Sequence, residues 1–385
     1  MLKDRKKKPA DPGILEMPPS KKEDCKGYLA SAWREALFSV LTRAKSGKIS
    51  QKYWRHLIKI LSVPPYEIIK RCLQNVRQFT LTSINIEITT YCNLRCPGCL
   101  RTIRTKEGKW DNRHLGVEDF QRIVAGLPKT MRVFLHGIGE PTLHPALEEL
   151  ITVARQAGKF HFISLYTNAL ARPPDYYFPL FSSGLSDLTI SVDSLEPTLA
   201  GLLRSGTEVE KLKKSIGLLV SRYPGQIRIS TVVGRENIIY IPELLGDLNE
   251  LGLLKVILQP FDDLGNPCNW LSVEERNWFA HWIKSIMACF PNLELENFSF
   301  IPNPEICPAP RESPYITIDG FLTPCCRITD PLMINFGNLL TTPFKEAWHS
   351  PKAEKWREQF LQASPPVCAG CLMFIERKDV KVRPV

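Results

Sequence analysis

The chain of 385 residues is 44% apolar and 23% charged, an ordinary composition for a folded protein with one large core and a smaller module, which excludes disorder throughout. No apolar run is long enough to span a bilayer, and the opening MLKDRKKKPADPG places Pro and Asp where a secretory signal needs an apolar stretch, so a cytoplasmic location is expected. The net charge of +10 comes wholly from residues 1–80, which hold 18 Lys and Arg against 7 Asp and Glu. A basic segment on a neutral body points to an acidic partner or an anionic membrane surface, with a solvated tail as the alternative.

Residues 1–26, rich in Lys, Pro, Asp and Ser, read as a disordered basic tail. Over 27–80 the apolar residues Leu29, Trp33, Leu37, Val40 and Leu41, then Trp54, Leu57, Ile58 and Leu61, recur at three- and four-residue steps. That spacing predicts a helical N-terminal extension whose stripes pack on the next domain or lie on a membrane surface. From residue 81 short β-rich runs at 84–89, 132–136, 160–166, 188–192, 227–233 and 254–259 alternate with helical patterns at 117–127, 145–157, 208–220 and 242–251, and a less regular one near 175–181. Strict β/α alternation implies an α/β fold with a parallel sheet and helical crossovers. Six strands predict a partial (β/α)6 TIM-like barrel over 81–260. A helical connector follows over 261–300. The run 315–323, with Asp319-Gly320 as its turn, predicts a hairpin in a small C-terminal domain over 301–376, and residues 377–385 read as a tail.

Twelve cysteines exceed what packing needs, and reducing conditions argue against disulfides, so metal ligation becomes the leading question. Cys92, Cys96 and Cys99 form CxxxCxxC directly after the first strand, at the edge of a parallel barrel where active sites sit. Three thiolates can hold three irons of a [4Fe–4S] cluster and leave the fourth open to an amine and a carboxylate. A zinc reading lacks a fourth ligand at short spacing. Cys307, Cys325, Cys368 and Cys371 form a second group, the last two as CxxC, which suits a four-thiolate cluster or structural zinc. Cys326, adjacent to Cys325, is the alternative ligand. Cys25, Cys72, Cys268 and Cys289 have no ligand-like spacing.

These motifs resemble the radical S-adenosylmethionine (SAM) superfamily. His136-Gly-Ile-Gly-Glu-Pro141 looks like that family's GGEP element, which implies that Gly137, Gly139, Glu140 and Pro141 bind SAM, with Glu140 on the amino group of its methionine. Ile138 departs slightly from the commonest form. Tyr166-Thr-Asn168 and Thr189-Ile-Ser-Val-Asp193 resemble positions near the SAM ribose and carboxylate, implying contacts from Asn168, Ser191 and Asp193. Arg204 looks like the arginine that follows this strand in many members, a surface ion pair being its other reading. The second cysteine group resembles the auxiliary-cluster domains called SPASM and twitch, and its intervals are similar to those of the twitch domain in one radical SAM dehydrogenase. With no cysteine after Cys371, one auxiliary [4Fe–4S] cluster is expected. The resemblance implies reductive cleavage of SAM to a 5′-deoxyadenosyl radical that takes hydrogen from a small-molecule or peptide substrate, fed by an electron donor such as flavodoxin or ferredoxin. An auxiliary cluster that accepts an electron makes the net reaction an oxidation. The alternatives are peptide modification, redox-neutral epimerisation with Cys268 as hydrogen donor, and a non-catalytic iron–sulfur protein.

Overall fold

The structure, a computed structural model, describes residues 81–261, 271–296, 309–362 and Cys368. The expectations for residues 1–80, the C-terminal tail, Cys268, Cys307 and Cys371 lie outside the described residues. Seven strands follow one another in the order of the chain: β1 (Leu81–Ile86), β2 (Thr130–Leu135), β3 (Phe160–Thr167), β4 (Asp187–Ser191), β5 (Ile227–Val233), β6 (Lys255–Pro260) and β7 (Glu294–Glu296). Each pairs in parallel with its predecessor. Helices α1 (Leu100–Lys106) and α2 (Val117–Gly126) link β1 to β2, and α3 (Leu147–Gln156) and α4 (Tyr177–Ser182) follow β2 and β3. After β4 come α5 (Pro197–Leu203) and α6 (Val209–Arg222), then α7 (Ile241–Glu250) after β5 and α8 (Val273–Met287) after β6. This is the expected α/β partial barrel. The sheet stays open.

Alternation along the strands separates two faces. Ile84, Ile86, Val133, Leu135, Ile163, Leu165, Leu188, Ile190, Ile229, Val256 and Leu258 have no exposed area and share one core with helix residues such as Phe120, Leu150 and Leu219. The alternating positions carry Asn85, Phe134, Ser164, Thr189 and Ser230, so the second face is polar and aromatic where a closed barrel would be packed with branched aliphatics. An ion network crosses the early ends of the strands. Asp187 receives Arg132 at 2.5 Å and Arg228 at 3.1 Å, and Glu296 on β7 receives Arg228 at 2.6 Å and Lys255 at 3.4 Å.

The C-terminal segment joins the same sheet. After α9 (Ala309–Glu312), strand β8 (Tyr315–Ile316) pairs in parallel with β1, and β9 (Leu322–Thr323) returns antiparallel to β8. The expected turn is there, with Gly320 at φ +82°, a conformation that favours glycine. The hairpin is thus an extension of the barrel sheet on the β1 side. Helices α10 (Phe344–Trp348) and α11 (Pro351–Gln362) follow. No helix among the described residues is long and apolar enough to cross a membrane.

Candidate functional site

The loop between β1 and α1 carries Cys92, Cys96 and Cys99, all free and half-buried. Cys99 is the residue that precedes α1, so its peptide carbonyl accepts the Ile103 N–H at 3.0 Å. Arg95 N–H donates to Ser205 O at 3.0 Å, and Asn93 Oδ1 accepts from Asn168 Nδ2 at 2.8 Å, pinning the loop to the ends of β3 and α5. Burial raises the Cys92 thiol to about 11 and the Cys96 thiol above its usual value, with Arg204 opposing the latter. Unligated, both hold their protons, so metal binding must release them.

The turn after β2 is pressed onto this loop. A Cβ on Gly139 would stand 2.3 Å from Thr89 O and 2.7 Å from Tyr91 O, so only glycine fits, and Glu140 N–H donates to Tyr91 O at 2.7 Å. The Glu140 side chain is 3% exposed. Its Oε1 accepts Thr142 N–H at 3.1 Å and the Thr142 and Thr167 hydroxyls at 2.7 Å, while Oε2 accepts Asn168 N–H at 2.7 Å. Burial lifts this carboxyl pKa and the four donors oppose it. With one donor on Oε2, a lone pair remains for a cation such as an ammonium. Asp193 is engaged by Arg204 Nε at 2.6 Å and by Val232 N–H at 2.7 Å. Arg204 is thereby held near the cysteine loop, burial opposing its charge while Asp193 and the thiols of Cys96 and Cys99 favour it.

All eleven residues singled out in residues 81–260 line one cavity of about 700 Å³: Cys92, Cys96, Cys99, Gly137, Gly139, Glu140, Pro141, Asn168, Ser191, Asp193 and Arg204. The donor set fits an iron–sulfur cluster beside an amino-acid moiety: three thiols, a carboxylate with a spare lone pair, and a guanidinium. Sequence reasoning missed Asn237, which is 1% exposed and ties Asp193 O, Val232 O and Gly234 N–H together. It also gave no role to His136 and Tyr166 on the cavity wall, or to Glu87 beneath it. Their signal is a polar residue at every second position of a strand that is otherwise aliphatic.

In the C-terminal segment Cys325 is half-buried, and burial pushes its thiol well up. The backbone of Arg327 and Ile328 opposes the shift, the Ile328 N–H donating to Cys325 O at 3.1 Å, and Cys368 is near enough to be felt as a charge. Cys326 is exposed.

Residues 86–248 match the radical SAM superfamily, and residues 307–372 match an iron–sulfur cluster-binding domain, SPASM. The chain belongs to the radical SAM superfamily. The family's cofactors are SAM with a [4Fe–4S] cluster in the barrel and auxiliary iron–sulfur in the SPASM domain. Among relatives, the GTP 3′,8-cyclase of Chlorobaculum tepidum is 26% identical over 191 residues, 48% of this chain and 56% of that protein. The PqqA peptide cyclase of Rhodopseudomonas palustris is 23% identical over 165 residues, 42% of each. The radical SAM chain thus spans about half the length of the curated relatives it matches. The structure of Streptococcus suis SuiB bound to precursor peptide SuiA superposes with a TM-score of 0.60 at 16% identity, over 81% of this chain and 76% of that one. SuiB has also been solved with SAM. The likeness shows a common fold.

Proposed function

We propose that the protein is a cytoplasmic radical SAM enzyme in which Cys92, Cys96 and Cys99 hold the first cluster and Gly137, Gly139, Glu140, Pro141, Asn168, Ser191, Asp193 and Arg204 bind SAM. The observation that carries this is their convergence on one cavity at the late ends of the strands. Cluster and SAM together supply a 5′-deoxyadenosyl radical that takes hydrogen from an unactivated carbon. The chain's own residues orient and enclose. Glu140 Oε2 accepts the methionine ammonium, Arg204 reaches the carboxylate, and the narrow turn at Gly137–Gly139 lets backbone approach the ligand. Cys307, Cys325, Cys368 and Cys371 hold an auxiliary [4Fe–4S] cluster of twitch type. A cluster held by four thiolates there would have no open iron and would supply an electron acceptor for a dehydrogenase-type oxidation. The burial of Cys325, beside an exposed Cys326, favours it as the ligand. A flavodoxin or ferredoxin supplies the first electron, and the basic residues 1–80 meet an acidic partner or anionic surface.

A second reading takes a peptide as substrate. It is supported by the PqqA peptide cyclase among the relatives and by the precursor peptide bound to SuiB.

Anaerobic reconstitution with SAM and mass spectrometry of the adenosyl products tests the proposal. Wild-type protein should carry about eight irons, from two clusters of four. Replacing Cys92, Cys96 and Cys99 by Ala should remove about half of the iron and all SAM cleavage. Zinc at the C-terminal cysteines of anaerobically purified protein would overturn the auxiliary assignment.

A further inference from the structure

Glu87 stands just past β1, on the polar face, and is 4% exposed. Its Oε1 accepts the N–H of Ile138, in the middle of the turn Gly137-Ile138-Gly139, at 3.0 Å. Its Oε2 accepts the N–H of Ile318, in the loop between β8 and β9, at 3.2 Å. Tyr315, a residue of β8 that is 1% exposed, is close enough for its phenol to feel the charge of this carboxylate. One carboxylate therefore joins two segments that lie 51 and 231 residues along the chain from it.

Packing alone does not account for an acid here. Both partners are N–H donors, and a carboxylate is the side chain that only accepts. Burying it raises its pKa, and the two backbone hydrogen bonds oppose that shift. The fit admits nothing larger, because a Cβ on Gly137 would stand 2.4 Å from Glu87 Cγ and 2.5 Å from Oε1. Glu87 thus links the turn directly to the loop between β8 and β9.

We propose that Glu87 is a positioning residue that sets the turn 137–139 against the β8–β9 hairpin, so that SAM binding and the packing of the hairpin loop are coupled through Glu87. The inference rests on reading that turn as part of the SAM site.

The test uses the full chain with Glu87→Gln, Ile318→Pro, which removes the hairpin's N–H to Glu87, and the double variant. In reconstituted protein, SAM affinity is read from the change in the electron paramagnetic resonance of the reduced cluster. Hydrogen–deuterium exchange of the peptide spanning residues 136–141 is read in the cofactor-free chain. Glu87→Gln should weaken SAM binding at least tenfold with iron content unchanged. Ile318→Pro should weaken it severalfold in the wild-type background and add nothing in the Glu87→Gln background. A purely structural acid predicts independent, multiplying effects, and that outcome overturns the coupling, as does unchanged affinity in Glu87→Gln. Ile318→Pro, confined to the hairpin loop, should also speed exchange at residues 136–141, and unchanged exchange there overturns the inference even if Glu87→Gln fails to fold. Wild-type protein that binds no SAM would sink the SAM-site reading, and the exchange result would still decide the bridge.

Discussion

His136 lines the cavity as a neutral imidazole, because enclosure presses its pKa down to about 4. Its Nε2 is 3.0 Å from Asn85 Oδ1, whose amide nitrogen donates to Pro314 O, so Nε2 carries the proton and Nδ1 is left as an acceptor. The unfolded imidazole titrates near 6.5. As pH falls from 7 to 5 the unfolded chain takes up a proton that the folded site refuses, and this one group lowers stability by about 2 kcal/mol. His136→Asn should therefore melt increasingly above wild type, relative to the gap at pH 7, when the cofactor-free proteins are compared at pH 5. Parallel pH profiles would sink the assignment. At this scale the convergence of Cys92, Cys96, Cys99 and Glu140 on one cavity was legible because their motifs directly follow the first and second strands. Glu87 and Asn237 were not, since their partners are backbone groups on distant segments that leave no mark in local spacing.

The six principal strands were legible as short β-rich runs, most of which alternate an aliphatic residue with a polar or aromatic one, and the structure moves their ends by no more than three residues. Strand β7 left no such trace. Its Glu-Leu-Glu has a single apolar residue, and it is held by pairing with β6 and by Glu296 between Arg228 and Lys255. Helices α1 and α5, seven residues each, are too short to show a periodic face, and α1 carries basic residues at alternate turns. Tertiary contact makes these elements, so propensity could not announce them. Glu296→Ala should consequently detach β7 and leave the largely buried Arg228 and Lys255 short of a counter-charge. The expected loss is about 2–3 kcal/mol, read by chemical denaturation. A change under about 0.5 kcal/mol, the usual scale of a surface substitution, would show that β7 stands without the pair.

Across the whole chain, charge and fold are segregated. Residues 1–80 carry all of the excess positive charge, whereas the residues assigned to radical chemistry in the barrel lie between Cys92 and Arg204. Removing residues 1–26 should leave iron content and SAM cleavage intact and weaken binding to vesicles rich in phosphatidylserine, with a smaller salt dependence. Vesicle binding unchanged by the truncation would make the tail a solvated extension. The two faces of the sheet carry one more consequence, for how such a protein diverges over generations. Leu135, Leu165, Ile190 and Val233 answer to the helices, while their chain neighbours His136, Tyr166, Ser191 and Val232 answer to whatever enters the chamber. Selection on the catalyst and selection on the scaffold therefore act on different letters of the same words, and a lineage can exchange one substrate for another without passing through unfolded ancestors.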